Sequence, residues 1–217
     1  MSQLRILVLS ITVSFLFCSE LKAQTNKFEF GVEASPSFTF LKGSDFIEKF
    51  YNGTLGYSGG ISFQYNFGKR VALRTNIAYE RKGGANYGGF TDNYGATIGN
   101  SSLNYIFDYL TLPVLVRFSF GNKVKYFING GPYLGYLLSQ TFVIKGDNFK
   151  TVNIDNTSNY NSLDAGISLG TGLQYPIHEK LYFSSEIRGN LGLLSTLPRG
   201  DIKVNSVNLL LGIAYRF

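Results

Sequence analysis

The alternation of residues 203–217, KVNSVNLLLGIAYRF, restricts this chain more than any other feature. The odd positions Val207, Leu209, Leu211, Ile213, Tyr215 and Phe217 are all apolar. The even positions Ser206, Asn208, Gly212, Ala214 and Arg216 are small or polar, with Leu210 the exception. Successive side chains of a strand point to opposite faces, so the segment reads as a strand with one greasy face and one wet face. Such a strand has to join a sheet whose two faces meet different surroundings.

The same period recurs seven times upstream. Residues 27–41 set Phe28, Phe30, Val32, Phe38 and Phe40 against Glu29, Glu33, Ser37 and Thr39. Residues 54–67 set Leu55, Tyr57, Ile61, Phe63 and Phe67 against Gly60, Ser62, Gln64 and Asn66. Residues 70–82 set Val71, Leu73, Ile77 and Tyr79 against Arg74, Asn76, Glu80 and Lys82. Residues 103–120 are the most apolar, with Leu110, Leu112, Val114, Val116 and Phe118 opposite Tyr109, Thr111, Pro113 and Arg117. Residues 123–142 contain Gly130-Gly131-Pro132, which is expected to mark a bulge or bend. Residues 162–175 carry Asp164 on the polar face, and residues 180–193 carry Glu186 and Arg188. Short turns at 68–69, 121–122 and 177–179 alternate with long connections at 42–53, 83–102, 143–161 and 194–202, rich in Gly, Asn, Asp and Ser.

Eight two-faced strands with short turns at one end and long polar loops at the other predict an all-β fold, an eight-stranded antiparallel up-and-down transmembrane β-barrel. A soluble barrel shows the same period with its faces reversed. Three features favour the membrane. The polar faces of the second, sixth and eighth strands carry Gly, Ser, Asn and Gln, where solubility would favour Lys and Glu. The apolar faces are large nearly end to end. Tyr and Phe sit near the strand ends, as in interfacial girdles. Composition agrees: Gly 25, Tyr 15, Phe 19 and only 5 Pro suit strands and tight turns. The formal charge of +6 is scattered, with no basic run longer than a dipeptide, which argues against nucleic acid as a partner.

Residues 1–23 have the three parts of a secretory signal: Arg5, an apolar core from Ile6 to Phe17, then Leu21-Lys22-Ala23. Cleavage after Ala23 is expected, leaving residues 24–217 as the barrel domain with a net charge of +5. The lipoprotein alternative at Cys18 is disfavoured because Phe17 precedes it, where a small residue is needed. Cys18 is the one cysteine, so the mature chain has no disulfide.

An eight-stranded barrel has an interior that side chains can fill. Glu29, Glu33, Glu80, Asp164 and Glu186, with Arg74, Arg117, Arg188 and Arg216, are expected to point inward as a network of paired charges, because an isolated buried charge is costly. That network predicts no wide aqueous pore, with a proton or solute path through it as the alternative. Phe217, at the periplasmic rim, is expected to be read by the barrel-assembly machinery.

Tyr109 to Phe118, YLTLPVLVRF, resembles the "YLxLPLLLKY" strand of the PorT-like outer-membrane β-barrel family of Bacteroidetes. Gly130 to Leu138, GGPYLGYLL, is similar to the strand that follows it there, and Gly212 to Phe217 and Lys22-Ala23-Gln24 are similar too. The resemblance implies localisation in the bacterial outer membrane. The family's founding member is tied to protein secretion across that membrane, and no catalytic set comes with the family.

The leading functional expectation is a non-enzymatic barrel, held in outer-membrane lipid, whose long loops bind an extracellular ligand or a partner protein. Tyr51, Tyr87, Phe90, Tyr94, Phe149 and Tyr160 are candidate contacts, with simple loop packing as the competing role. An accessory part in secretion is the alternative that the resemblance implies; a small-solute porin and a lipid- or peptide-modifying barrel enzyme follow. Catalysis would need a nucleophile and base near the outer rim. The only His, His178, falls in a predicted periplasmic turn. No metal motif is present; Asp147 and Asp155 fit no EF-hand spacing, and no cofactor is expected.

Overall fold

The computed structural model describes residues 27–91, 97–147 and 149–217. The expected leader and its expected cleavage point, and Tyr94, lie outside the described residues. The chain runs β1 (Phe28–Gly43), α1 (Asp45–Phe50), β2 (Thr54–Asn66), β3 (Val71–Thr91), β4 (Thr97–Phe120), β5 (Lys125–Gly146), β6 (Phe149–Asp155), a 3-10 turn (Thr157–Asn159), β7 (Leu163–Pro176), β8 (Leu181–Gly192) and β9 (Ile202–Arg216). Eight of these strands close an antiparallel ring in the order β1-β2-β3-β4-β5-β7-β8-β9. The closing seam joins β9 to β1, with Glu29 opposite Arg216 at one end and Gly43 opposite Ile202 at the other. Strand β6 stands outside the ring and, among the described residues, pairs only with the far end of β5.

The ring is apolar outside and polar inside. Ile213, Val32, Ile61 and Ile77 are cross-strand partners in one outward row. Each leaves 47–62% of its surface uncovered by protein. On the inner face Glu29, Arg117, Gln140 and Ser168 are essentially fully buried. A continuous apolar outer band of this extent is stable only against hydrocarbon, and a closed ring leaves no strand edge unsatisfied there. Outward aromatics cluster at both ends of the band: Phe67, Phe120, Tyr126 and Tyr215 by the short turns, Phe38, Tyr57 and Tyr136 toward the other end. Both described ends of the chain lie with the short turns, the periplasmic arrangement of such barrels.

Two of the long connections are largely strand. β3 continues to Thr91 and β4 begins at Thr97, so most of 83–102 is a paired ladder, from Gly83 opposite Ile106 to Phe90 opposite Gly99. β5 runs to Gly146 and turns back into β6, which takes up much of 143–161. The alternation that marks strands stops at Gly83: Gly83 to Ala85 are buried against the plug and the 42–53 connection, Tyr87 and Gly88 are exposed, and backbone pairing needs no alternation. The connection 42–53 contains α1, capped by Ser44, whose hydroxyl accepts from the Ile47 amide at 3.4 Å.

The bulge sits elsewhere than the sequence suggests. Gly130, Gly131 and Pro132 pair with Leu169, Ser168 and Ile167 without a register shift. A Cβ on Gly131 would lie 2.1 Å from the Val114 carbonyl oxygen, so glycine there permits close strand contact. The register shifts instead where Asp108 faces Ser139 and Tyr109 faces Leu137, leaving Leu138 unpaired. That extra residue turns the inward parity of β5 from odd (Tyr133, Leu137) to even (Gln140).

Candidate functional site

The nine charged residues read from the sequence all lie on inward faces, and the structure sorts them into three layers. In the layer nearest the short turns, Glu29 accepts from five donors. Gln64 Nε2 (3.0 Å), Asn66 Nδ2 (2.9 Å), Arg216 Nε (2.9 Å) and Arg216 Nη2 (2.6 Å) reach Oε1, and Gln174 Nε2 (2.9 Å) reaches Oε2. Arg216 also donates to Tyr182 Oη at 3.0 Å and lies over its ring.

The middle layer joins Arg74 to Glu33 and sets Glu186 between two guanidinium groups. Arg117 Nη2 donates to Glu186 at 2.9 Å and Arg188 Nε at 2.6 Å. Arg117 stacks 3.6 Å from the centre of the Phe127 ring. Charge-assisted bonds of this kind offset the desolvation of groups so deeply buried.

The third layer centres on a residue that was on the predicted polar face but outside the group singled out. Lys82 is fully buried, 3.3 Å from Glu80 and 3.7 Å from Asp164, between the rings of Tyr109 and Tyr133. Its ammonium makes ion-pair contacts but no hydrogen bond of good geometry. Ser206, Asn190 and Asn208 donate to Glu80 Oε1, and Tyr133 Oη donates to Asp164 Oδ2. With Lys82 included, five acidic and five basic side chains fill the lumen. A cavity of about 20 Å³ remains beside Asn76, Glu80 and Arg188, room for about one water.

Above these layers the mouth is plugged by apolar side chains, which the sequence did not disclose. Leu41, Ile47, Phe107, Tyr109, Leu137 and Val204 are buried together, with Tyr51, Tyr105 and Tyr160 packed against them. Ile47 is carried there by α1. Tyr51 meets Tyr105, and Tyr160 meets Phe107, edge to face at 5.2 Å. Burial pushes the Tyr160 hydroxyl up to about 12. Tyr51 and Tyr160 are therefore packing residues, whereas Tyr87 is 67% exposed. The side chains of Phe90 and Phe149 lie outside the described residues.

Beyond the plug stands a sheet of β3, β4, β5 and β6. β3, β4 and β5 have 21, 24 and 22 residues. A membrane crossing takes about 9–11. The surplus of roughly ten residues, at ~3.3 Å each, carries up to about 30 Å of strand past the bilayer. β6 is the last strand of this sheet, so among the described residues one of its edges is unpaired. Val152 and Ile154 on β6 are each 44% exposed.

His178 lies in the β7–β8 turn, where its amide donates to the Leu181 carbonyl at 3.1 Å. Among the described residues no three His, Cys, Asp or Glu side chains are grouped to hold a metal.

The chain is similar to three small barrels of known structure. One is Neisserial surface protein A, 16% identical over 88% of this chain and 97% of that one, with a TM-score of 0.48. Another is Ail, the attachment invasion locus protein of Yersinia pestis, 16% identical over 88% and 99%, with a TM-score of 0.44. The third is outer membrane protein W of E. coli, 12% identical over 90% and 100%, with a TM-score of 0.42. Among curated proteins none matches the chain. The family model described as "Outer membrane protein beta-barrel domain" matches residues 22–197. The chain belongs to that family and is an integral β-barrel protein of the bacterial outer membrane.

Proposed function

We propose that the barrel is a closed anchor that presents the β3–β6 sheet outside the cell to a partner protein. The carrying observation is the four-stranded sheet itself, which outruns the membrane and ends on the unpaired edge of β6. An unpaired edge offers a row of free backbone N–H and C=O groups to an added strand. The filled lumen and the apolar plug support an anchoring role over a conducting one. The layers of Glu29, Glu186 and Glu80 act as the rigid core of the anchor, and Phe217 as the residue read during assembly. Phe217 is 57% exposed, against Phe30 and Tyr215.

A photo-crosslinking residue at Val152 or Tyr87 is expected to capture one discrete protein in intact cells. The same residue at lipid-facing Ile61 is expected to capture none. Trimming 86–103 in register should abolish the capture while leaving a heat-modifiable barrel. Stepwise conductance in planar bilayers, or no capture from either sheet position, would overturn this reading. Deleting Phe217 is expected to lower outer-membrane levels, read by membrane fractionation; unchanged levels would remove its assembly role.

The second reading is an accessory role in secretion. It rests on the resemblance to the PorT-like family of Bacteroidetes, whose two quoted motifs form the neighbouring strands β4 and β5 here. A knockout that leaves the secreted proteome unchanged would eliminate it. Maturation after Ala23 belongs to both readings, and N-terminal sequencing of the membrane form tests it.

A further inference from the structure

The net charge of this barrel is not spread over it. The lumen holds five acidic and five basic side chains, and they cancel. The remaining outer-wall and extracellular charges of the described residues are seven basic and six acidic, and Asp92, which lies outside the described residues, makes the sequence count seven of each. All of the excess lies at the short-turn end: Lys27, Lys69, Arg70, Lys123, Lys125 and Lys180, against the single carboxylate of Glu179. None of the six takes part in an ion pair among the described residues. Unopposed like charges repel one another, and nothing in the barrel itself gains from placing them together.

Their arrangement identifies what they face. Lys27 precedes β1, Lys69 and Arg70 form the β2–β3 turn, Lys123 lies in the β4–β5 turn and Lys180 ends the β7–β8 turn, whereas Lys125, the first residue of β5, stands opposite buried Gln174 on the inward face at the mouth of the lumen. Every short hairpin therefore carries at least one, so the charge encircles the rim and does not favour one side. The outward aromatic girdle lies directly against it: Phe67, Phe120, Tyr126 and Tyr215. Lys27 and Lys180 lie over the rings of Tyr65 and Tyr215, at 6.0 and 5.9 Å from their centres. Cations on the water side of an aromatic belt sit at headgroup depth. A docked protein would meet one arc of such a rim, whereas annular lipid meets all of it.

We propose that this rim binds the anionic phospholipid headgroups of the leaflet around the short-turn end. The attraction fixes the depth and direction of the barrel in the membrane and gathers acidic lipid around it.

The test uses the full chain purified from outer membranes and reconstituted in phosphatidylcholine vesicles. Spin-labelled phosphatidylglycerol and spin-labelled phosphatidylcholine are compared for the motionally restricted fraction at the barrel wall. Preference for phosphatidylglycerol of about fivefold is expected, the factor of one lysine contact at an anionic surface. It should vanish at 1 M salt, where the screening length is about 3 Å. Replacing Lys27, Lys69, Arg70, Lys123 and Lys180 with Gln should bring it to parity, and replacing the four lysines among them with Arg should retain it. The salt and Arg arms decide the matter even if the Gln variant fails to fold. Equal restriction of the two lipids in the unaltered protein, or preference that persists in the Gln variant or in 1 M salt, would overturn the proposal. So would displacement of the labelled lipid by millimolar glycerol phosphate, since a soluble phosphate would then be the ligand.

Discussion

Strand β3 passes through two environments, and its two halves are built differently. From Val71 to Lys82 it alternates strictly, with Leu73, Ile77 and Tyr79 outward and Arg74, Asn76, Glu80 and Lys82 inward. From Gly83 to Thr91 it reads GGANYGGFT, with no preferred face, yet its pairing to β4 continues. The lower half is held by side chains that must satisfy hydrocarbon on one side and a sealed polar lumen on the other. The upper half is held by backbone hydrogen bonds and close strand contact; a Cβ on Gly83 would lie 1.9 Å from the Tyr105 carbonyl oxygen. Substitutions should therefore be costly in the ring through solvation and charge, and in the sheet only where backbone geometry is touched.

The largest effect is expected at Glu186. Glu186→Gln removes the carboxylate between Arg117 and Arg188 and leaves two buried guanidinium groups without their counter-charge. Breaking a buried pair in this way costs about 3–5 kcal/mol. Urea unfolding in lipid vesicles checks it. A loss below about 1 kcal/mol would mean that water enters the middle layer freely and the contrast with the solvated sheet is false.

The next comparison sets one substitution in both regions. Ile77→Arg puts a cation on the outward row that faces the bilayer interior, at a cost of about 2–4 kcal/mol. Val152→Arg puts the same cation on β6, beyond the membrane, and should stay within about 0.5 kcal/mol. Equal costs would place β6 in the lipid and dissolve the distinction between wall and sheet.

This contrast also explains what the sequence disclosed. The ring strands were legible because each residue in lipid had to choose a face; β7 and β9 show this best, with Asp164, Gly166 and Ser168, and Ser206, Asn208 and Leu210, all inward. The upper parts of β3 and β4 were not, since Gly83-Gly84 and Gly88-Gly89 read as loop by composition while the ladder they form carries no periodic signal. Lys82 stands at the boundary. Its parity with Glu80 put it on the inner face, and the surplus acid among the nine lumen residues was the one sign that a fifth cation belonged there. The plug was hidden for another reason: Leu41 and Val204 are inward apolar residues near the ends of β1 and β9, whose other inward positions are mostly polar, and Phe107 lies mid-strand in β4, the most apolar strand.

A backbone-level test follows. Gly131→Ala forces a Cβ to within 2.1 Å of Val114, and overpacking of this kind costs about 1–3 kcal/mol. Gly88→Ala meets only Asn86 Oδ1 at 3.7 Å and should be close to neutral. Denaturation midpoints of the two variants compare them directly, and a neutral Gly131→Ala would mean that β4 and β5 can move apart within the ring.

The smallest effect concerns a carboxylate of the solvated region. Asp155 ends β6, and its Oδ1 accepts from the Thr157 amide at 2.9 Å and the Thr157 hydroxyl at 2.7 Å. Those two bonds favour the ionised form and hold the group below its ordinary 3.8. A lowered value means that the carboxylate steadies the 156–160 turn fully above pH 3.8, and that this support fades as pH falls through the lowered value. Carbonyl-detected NMR titration of Asp155 should show the depressed midpoint, and Thr157→Ala should return it toward 3.8. Because the group is exposed, global unfolding should not respond to either change. A shift in the unfolding midpoint would mean that β6 is coupled to the ring, and that the sheet is part of the anchor and not something the anchor displays.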